Sequence, residues 1–243
     1  MLALSGVRKT LGGRERTFVL DVRRLNISHG GLVALTAPSG RGKSTLINLL
    51  SLAIAPDLEA GTFQFGAEDV AGHWAANRHD RLASLRARHF GYVVQTGGLL
   101  PFLTARENIR LAQQISGRVD DAFIDRVAVA LGIEAQLHER PGRLSVGERQ
   151  RVSIARAVAH RPGVVVADEP TAALDPANKH AVIRLLLDMR AAHGFTLMIA
   201  SHDLEALDTF DLPRCTPAIH SGARRTVAVV DYDAAAVGTA AVS

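Results

Sequence analysis

The sequence feature that most constrains the fold is a glycine-rich segment between a strand pattern and a helix pattern. The apolar run 32–36 is predicted to be a strand, and a helix is predicted from Lys43 to about Leu52. The segment that joins them reads Ala37-Pro38-Ser39-Gly40-Arg41-Gly42-Lys43-Ser44-Thr45. A strand, a glycine turn ending in Gly-Lys-Ser and a helix form the context that a phosphate-binding loop, or P-loop, requires.

Each part of this loop has an expected role in binding a nucleotide. The glycines let the backbone N–H groups close around phosphates, Lys43 is expected to reach the β- and γ-phosphates, and the Ser44 hydroxyl is expected to bind Mg²⁺. Ala37 stands where the usual pattern has its first glycine, and alanine fits there if its φ is negative. The loop residues predicted to bind the nucleotide are Ser39, Gly40, Arg41, Gly42, Lys43, Ser44 and Thr45.

Two carboxylates follow a second apolar run. Val164 to Ala167 is wholly apolar, as expected of a parallel strand that is buried on both faces, and Asp168 and Glu169 come directly after it. Ligands of open α/β sheets bind at the carboxyl ends of the strands. Asp168 is suited to hold Mg²⁺ through water, and Glu169 is suited to orient the attacking water. The alternative is an acidic helix cap before Pro170.

A second candidate anion site lies about a hundred residues after the P-loop, in Leu144-Ser145-Val146-Gly147-Glu148-Arg149-Gln150-Arg151. Ser145 and Glu148 have the spacing of a capping box, so a helix is predicted to begin here. A helix N-terminus offers unpaired N–H groups and a partial positive charge to an anion. Since one nucleotide does not need both sites within one chain, the arrangement suggests a site completed by another copy.

Two further polar residues follow predicted strands. His202 comes after the strand Thr196–Ala200 and is able to donate a hydrogen bond to a γ-phosphate. Gln95 ends the predicted strand Phe90–Gln95, and its carbonyl oxygen is able to bind a metal or a water. Taken singly, each residue is as well explained by a structural role.

The remaining patterns alternate between strands and helices. Strands are predicted at 17–27 and Thr62–Phe65, and the turn Gly30-Gly31 follows the first of them. One helix is predicted to begin at a Thr104/Glu107 capping box and to run to about Ile115. Two further helices are predicted at about 120–131 and about 176–192. This alternation favours a mainly parallel sheet flanked by helices. The small residues after Tyr232 predict a weakly ordered tail.

Composition limits the classes of function. The formal net charge of +4 comes from arginines that are scattered among few aromatics, which favours a solvated surface over a nucleic-acid interface. Cys215 is the single cysteine, so an intrachain disulfide is excluded and a reducing compartment is favoured. The N-terminus lacks the order of a signal peptide, and no apolar run approaches the ~20 residues that span a bilayer. A membrane role is therefore expected to require a partner.

The order of these motifs resembles the ATP-binding cassette (ABC) ATPases of membrane transporters. The resemblance extends from about Leu2 to Val230 and includes Ala173-Leu174-Asp175. It implies a P-loop NTPase of ABC type: a mainly parallel core sheet flanked by helices, an antiparallel β subdomain and an α-helical subdomain. The single ATPase domain 1–243 would comprise a core at about 1–95 and 161–232, a helical subdomain at about 96–160, and a tail at 233–243.

The resemblance also implies a mechanism. Two chains would form a head-to-tail dimer around two ATP molecules, with Ser145 and Gly147 touching the γ-phosphate held by the partner's P-loop. Gln95 would couple the site to a transmembrane subunit and would help to bind Mg²⁺, and Asp175 would communicate across the dimer. The residues expected to act in catalysis are Glu169, His202, Lys43 and Gln95, and those expected to bind the metal are Ser44, Gln95 and Asp168.

Within the family, Gly98 to Asn108 and the Gly147 to Arg151 ending resemble the lipoprotein-release and macrolide-efflux group. This implies an ATP-hydrolysing subunit at the cytoplasmic face of the inner membrane, bound through a transmembrane permease and paired with a second ATPase subunit. That group often works with a periplasmic adaptor or an outer-membrane channel. The alternatives are a mechanical or scaffold ATPase of the same group and a nucleic-acid-associated ABC ATPase; direct nucleic-acid binding is not expected.

Two further departures from the family pattern concern Val146 and Leu11. The segment Leu144–Arg151 stands where the family has its signature segment. Val146 replaces the middle glycine of that segment, so we expect it in helical geometry at the first turn, where it still offers its N–H. Leu11 stands where the family usually has an aromatic that stacks on adenine, and Phe18 is the candidate substitute. A base–aromatic stack contributes ~1–3 kcal/mol in nucleic-acid sites.

Overall fold

The computed structural model describes residues 2–13, 16–38, 40–57, 61–95, 97–172, 174 and 176–234. Their contacts divide the chain into two units. The first unit consists of Met1–Ala83 and Ala200–Ser243, and the second consists of Ser84–Ile199. The division into a core and a helical subdomain over 96–160 stays a prediction.

The strands of the described chain are β1 (Leu2–Gly12), β2 (Thr17–Ile27), β3 (Leu32–Thr36), β4 (Thr62–Phe65), β5 (Glu68–Asp69), β6 (Phe90–Val93), β7 (Val164–Asp168), β8 (Thr196–Ser201), β9 (Arg214–Cys215), β10 (Ala218–Ser221) and β11 (Arg225–Asp233). The α-helices are α1 (Lys43–Leu50), α2 (Val70–Ala75), α3 (His79–His89), α4 (Ala105–Ser116), α5 (Asp121–Leu131), α6 (Val146–Val158), α7 (Pro176–His193) and α8 (Leu204–Asp208). All the strands and helices predicted in the sequence are present, with ends that differ by two residues or fewer.

The first unit is built on a six-stranded mixed sheet with the order β10-β11-β2-β1-β4-β5. β1 and β2 form a long antiparallel hairpin whose register runs from Leu2↔Ile27 to Leu11↔Phe18 and beyond, and β11 lies parallel to β2. Alternate side chains of this sheet, such as Leu20 and Val22, are fully buried. Leu11 and Phe18 lie at the end of this hairpin that is next to its connecting turn.

The strand that leads into the P-loop belongs to the same unit. β3 is buried along most of its length and pairs in parallel with β9, where Ala34 lies opposite Arg214 and Leu35 opposite Cys215. Burial raises the pKa of the Cys215 thiol to about 12, so it stays protonated at neutral pH. The end of β3 is thus held inside a packed layer, and the loop after it starts from a fixed point.

The second unit contains a parallel strand pair and the helices α4, α5, α6 and α7. β6 and β7 pair from Phe90↔Val164 to Val93↔Ala167, and the apolar residues of β7 are buried, as predicted for a strand covered on both faces. β6 ends at Val93, so Gln95 lies in a turn two residues beyond the strand instead of on it.

Helix α6 packs directly on β6. A Cβ at Gly91 would lie 2.0 Å from the backbone oxygen of Ala157, so only glycine allows this approach. His160, which is 3 % exposed, places Nε2 3.1 Å from the backbone oxygen of Phe90. Burial lowers the pKa of His160 to about 4, so the ring is neutral at pH 7 and Nε2 donates this bond. The helix that begins at the second candidate anion site is therefore fixed to the strand that precedes Gln95.

Both predicted capping boxes are present, at Thr104/Glu107 before α4 and at Ser145/Glu148 before α6. Together, the parallel strand pairs, the mixed sheet and the helices form an α/β fold, as predicted. Among the described residues, no helix combines the length and the apolar character needed to cross a membrane.

Candidate nucleotide-binding site

The P-loop takes the conformation that its glycines permit. Gly40 and Gly42 have φ values of 70° and 94°, in the left-handed region that favours glycine, and α1 begins directly afterwards at Lys43. Ala37 is not among the residues with positive φ, as expected for an alanine at this position. The loop therefore turns sharply and delivers the N-terminus of α1, where N–H groups are available to an anion.

Lys43 is held within this loop. Its side chain is mostly buried, and Nζ donates a hydrogen bond to the backbone oxygen of Ala37 at 2.6 Å. Ser44 is exposed and Thr45 is half-buried at the start of the helix. The ammonium group thus bridges the two ends of the loop, around the space that a phosphate would take.

Phe18 packs against the P-loop. A Cβ at Gly42 would lie 2.3 Å from Cζ of Phe18, so the ring fills the space that a side chain at position 42 would need. Leu11, its cross-strand partner, is 39 % exposed. The structure therefore places Phe18 against the P-loop, and its contact with the base stays a prediction.

His202 and Arg41 belong to the same unit as the P-loop. His202 is exposed and follows directly on the buried end of β8. Arg41 lies between the two glycines of the loop and donates a hydrogen bond through Nη1 to the Ser221 hydroxyl at 2.8 Å. Sequence reasoning did not find this contact, because the two residues are 180 positions apart.

The two carboxylates lie at the end of β7 in the second unit. Asp168 is the last residue of the strand and is half-buried. Glu169 has a φ of 48°, which a non-glycine residue rarely adopts. Pro170, which follows it, is buried. The backbone thus turns sharply at Glu169, so adjacent carboxylates need not point to opposite faces as they would within a strand.

A cavity of about 240 Å³ brings three predicted segments of the second unit together. It is lined by Gln95 and Gly97, by Val146, Arg149 and Gln150 from the start of α6, and by Pro170 and Leu174. Gln95, the signature segment and the chain after Glu169 are therefore neighbours, although they are far apart in sequence. Sequence reasoning did not predict a role for Arg149 or Gln150 in this cavity.

The N-terminus of α6 has the predicted geometry. The Ser145 hydroxyl accepts from the Glu148 N–H at 3.3 Å, and Glu148 accepts from the Ser145 N–H at 2.8 Å and from the Gln136 amide at 2.7 Å. The hydrogen bonds from Ser145, with a smaller one from Gln136, lower the pKa of Glu148, so its carboxylate stays charged at neutral pH. Val146 is the first residue of the helix, as expected, and it is 45 % exposed.

Gly147 has no steric reason to be glycine within the described chain. It lies in the first turn of α6 and its φ is not positive. Apart from its two chain neighbours and the nearby backbone of its own helix, no heavy atom of the described residues lies within 4 Å of where a Cβ would be. Glycine in a helix costs about 1 kcal/mol relative to alanine. The described residues therefore leave the space at Gly147 open to a ligand or to another chain.

Arg156 connects α6 to the segment after Gln95. Its Nη1 donates to the backbone oxygen of Gly98 at 2.6 Å and its Nη2 donates to that of Gly97 at 3.0 Å. Both glycines have positive φ. The helix that carries Ser145 at its start therefore also fixes the chain that follows Gln95, a link that the sequence patterns did not reveal.

Two predicted site residues, Ser39 and Asp175, lie outside the described residues, as do Ala173 and the predicted tail beyond residue 234. Of the remaining site residues, Lys43, Ser44, Arg41 and His202 belong to the first unit. Gln95, Ser145, Gly147, Asp168 and Glu169 belong to the second unit.

The chain is similar to ATP-binding subunits of bacterial transport systems. It is 39 % identical over 207 residues to the lipoprotein-releasing system ATP-binding protein LolD of Nitrobacter winogradskyi, covering 84 % of this chain and 87 % of that protein. It is also 39 % identical over 207 residues to the macrolide export ATP-binding/permease protein MacB of Marinobacter nauticus, but spans 31 % of the length of that protein.

Solved structures agree with this likeness. The dimeric ATP-binding cassette MJ0796 in a post-hydrolysis state bound to ADP and Pi superposes with a TM-score of 0.73 at 30 % identity, over 85 % of this chain and 90 % of that one. Another dimeric structure of MJ0796, a bacterial ABC transporter cassette, gives a TM-score of 0.77 at 27 % identity, over 96 % and 97 % of the two chains. The family model described as ABC transporter matches residues 20–172. The P-loop, the paired carboxylates, the capped signature helix and these likenesses together lead to one conclusion: the chain belongs to the ABC transporter family and is an ATP-binding cassette ATPase.

Proposed function

We propose that this ATPase powers an export machine of the lipoprotein-release or macrolide-efflux type through a separate transmembrane permease. The likeness to LolD over 87 % of that protein supports the subgroup. The observation that carries the chemistry is the P-loop, where the mostly buried Lys43 ammonium lies against the Ala37 carbonyl at the start of α1. The chain works at the cytoplasmic face of the inner membrane, held there by the permease.

The proposed reaction is transfer of the γ-phosphoryl group of ATP to water. Lys43 and the N–H groups of Ser39–Thr45 bind the phosphates, Glu169 orients the water and accepts its proton, and His202 donates a hydrogen bond to the γ-phosphate. The bond from the γ-phosphorus to the bridging oxygen breaks as the bond to the water oxygen forms, leaving ADP and inorganic phosphate. Positioning and charge stabilisation supply most of the catalysis.

The donor set fits Mg²⁺. Ser44, Gln95 and Asp168 supply hydroxyl, amide and carboxylate oxygens, which are the hard ligands that this ion prefers. Ser44 and Gln95 are exposed and Asp168 is half-buried, so each remains accessible to a ligand. When bound, Mg²⁺ neutralises charge on the phosphates.

The proposed site is completed by a second copy of the chain. Ser145 and Gly147 contact the γ-phosphate held by the partner copy's P-loop, and Asp175 communicates across the dimer. The space that the described residues leave at Gly147 supports this, because a glycine with no steric requirement among them suits close approach from outside. Gln95 couples the site to the permease, and closure of the dimer assembles the catalytic groups.

Recovery of the complex from membranes tests the export role. A tagged full-length chain, extracted from its native membranes with mild detergent, is expected to bring down an integral membrane protein with several spanning segments and, through that subunit, a periplasmic adaptor or outer-membrane channel. When the chain and the membrane subunit are reconstituted together, the membrane subunit should change the ATPase rate of the chain. Recovery without any integral membrane protein, or with nucleic acid in a salt-dependent manner, contradicts the proposal.

A further inference from the structure

Arg41 is part of the P-loop, but its side chain points away from the loop. Gly40 and Gly42 on either side have positive φ, and the Arg41 N–H donates to the backbone oxygen of Pro38 at 3.2 Å. The guanidinium leaves this turn and donates from Nη1 to the Ser221 hydroxyl at 2.8 Å. The backbone of Arg41 thus belongs to the loop, while its charge lies at the end of β10.

The partner of this guanidinium is neutral. Within the part of the chain that the structure describes, Arg41 forms no ion pair with a carboxylate, and Ser221 is exposed. A phosphate carries negative charge, so it attracts the guanidinium more strongly than a neutral hydroxyl does. The guanidinium fork can also bind two phosphate oxygens at once, whereas a single hydroxyl offers it only one oxygen. A polyphosphate bound in this loop would therefore offer Arg41 a stronger acceptor than Ser221.

Ser221 belongs to a hairpin at the edge of the six-stranded sheet. β10 is the edge strand and pairs with β11, and Ser221 lies opposite Thr226. The Gly222 N–H donates to the oxygen of Arg225 at 2.8 Å, and the Thr17 N–H of β2 donates to that of Arg224 at 2.9 Å. The tip of the hairpin is thus held by its own turn, by β2 and by Arg41.

We infer that Arg41 exchanges the Ser221 hydroxyl for a phosphate of the bound nucleotide. In the nucleotide-free chain, the hydrogen bond from Arg41 to Ser221 connects the tip of the β10–β11 hairpin to the P-loop. In the nucleotide-bound chain, the guanidinium binds a phosphate, and the tip is held only by its own turn and by β2. The inference rests on the proposed nucleotide binding by this loop, and it makes the edge hairpin a reporter of nucleotide occupancy.

The exchange predicts opposite effects from the two ends of one hydrogen bond. Arg41→Ala removes a phosphate ligand, so ATP affinity should fall about fivefold to tenfold. Ser221→Ala removes the competing acceptor, so ATP affinity should rise about twofold to fivefold. The double variant should match Arg41→Ala. The effect of Arg41→Ala should shrink from ATP to AMP as phosphates are removed.

Titration calorimetry of the full-length chain with ATP in magnesium buffer measures these affinities, with Glu169→Gln present in every variant to prevent turnover. Arg23→Ala removes the same charge from an exposed position of β2 and should change the affinity less than about twofold. Amide exchange supplies a second readout: ATP should accelerate exchange at 218–226, and Ser221→Ala should exchange fast there without ATP.

Arg41→Ala that binds ATP as tightly as the unsubstituted chain, or Ser221→Ala that weakens binding, overturns the exchange. So does a hairpin whose amide exchange is the same with and without ATP. Lys43→Ala separates this failure from failure of the proposed function. If the unsubstituted chain binds ATP and Lys43→Ala does not, the loop binds nucleotide whatever Arg41 does; if neither binds, the proposed function itself is wrong.

Discussion

At the scale of one residue, the sequence predicts the role of Glu169 but not its backbone conformation. Its carboxylate after an apolar run identified it as the candidate that orients water, but its φ of 48° was not predictable. A non-glycine residue in this region costs of order 1–3 kcal/mol. The strain lies next to the end of β7, where the buried Pro170 and the packed strand hold the backbone.

Replacing Glu169 by glutamine should separate binding from chemistry. Glutamine keeps the size and the backbone conformation but cannot accept the proton of the attacking water, so kcat should fall by about 10²–10⁴-fold. ATP affinity should stay within about twofold, because the phosphates are bound by the P-loop. Phosphate release and equilibrium ATP binding measure the two quantities. Glu134→Gln, at an exposed glutamate, is the control; unchanged ATPase activity in Glu169→Gln contradicts the assignment.

The sequence identified Phe18 and Arg41 as candidate nucleotide contacts, but it did not predict which residues they pack against. Phe18 was a candidate for the base contact, yet its packing on Gly42 depends on the register of β1 and β2. The bond from Arg41 to Ser221 depends on a hairpin 180 positions away. Residue type and spacing predict which groups can bind a nucleotide, whereas tertiary packing decides which of them touch each other.

At the scale of elements, local signals decided which helices and strands were predictable. The capping boxes of α4 and α6 and the wholly apolar β7 are local, and all three were found. β1 was missed because Gly6, with a φ of 64°, and an exposed polar end interrupt its alternation. β5 and β9 have two residues each and exist through pairing with β4 and β3, which no local pattern reveals.

The two capping boxes provide a matched pair of variants. Thr104→Ala and Ser145→Ala each remove a hydroxyl that caps a helix of similar length, so each should lower the free energy of unfolding by about 1 kcal/mol. Only Ser145→Ala should also lower kcat, by about tenfold or more, since its hydroxyl is proposed to contact the partner copy's phosphate. Urea unfolding and ATPase assays measure both effects. Equal loss of activity in the two variants would mean that Ser145 acts only as a cap.

At the scale of the whole molecule, the residues predicted for nucleotide binding and hydrolysis occur in both units. Lys43 and His202 belong to one unit, and Glu169 and Ser145 to the other. The family was predictable because each of its motifs is a short, contiguous segment of the sequence, and the order of the motifs can be read directly. Pairing with a second copy was predicted from the presence of two anion sites in one chain, and the open face at Gly147 is the structural feature that supports it.

Complementation between two inactive variants tests the shared site most directly. Ser145→Arg leaves the P-loop intact but blocks the site of the partner copy, whereas Lys43→Ala disables the P-loop and leaves the signature segment intact. Each variant alone should be inactive. In a mixed dimer, the intact P-loop of one copy meets the intact signature segment of the other, so an equal mixture should recover roughly a quarter of the unsubstituted ATPase rate.

The control mixture combines Lys43→Ala with Glu169→Gln. Both substitutions disable the half of the site that a chain supplies to its own nucleotide, so no mixed dimer contains an intact site and the mixture should stay inactive. The decisive measurement is therefore the ATPase rate of the Ser145→Arg and Lys43→Ala mixture, relative to each variant alone. Recovery in this mixture and not in the control is the predicted result, and a mixture as inactive as its components would contradict a site shared between two copies.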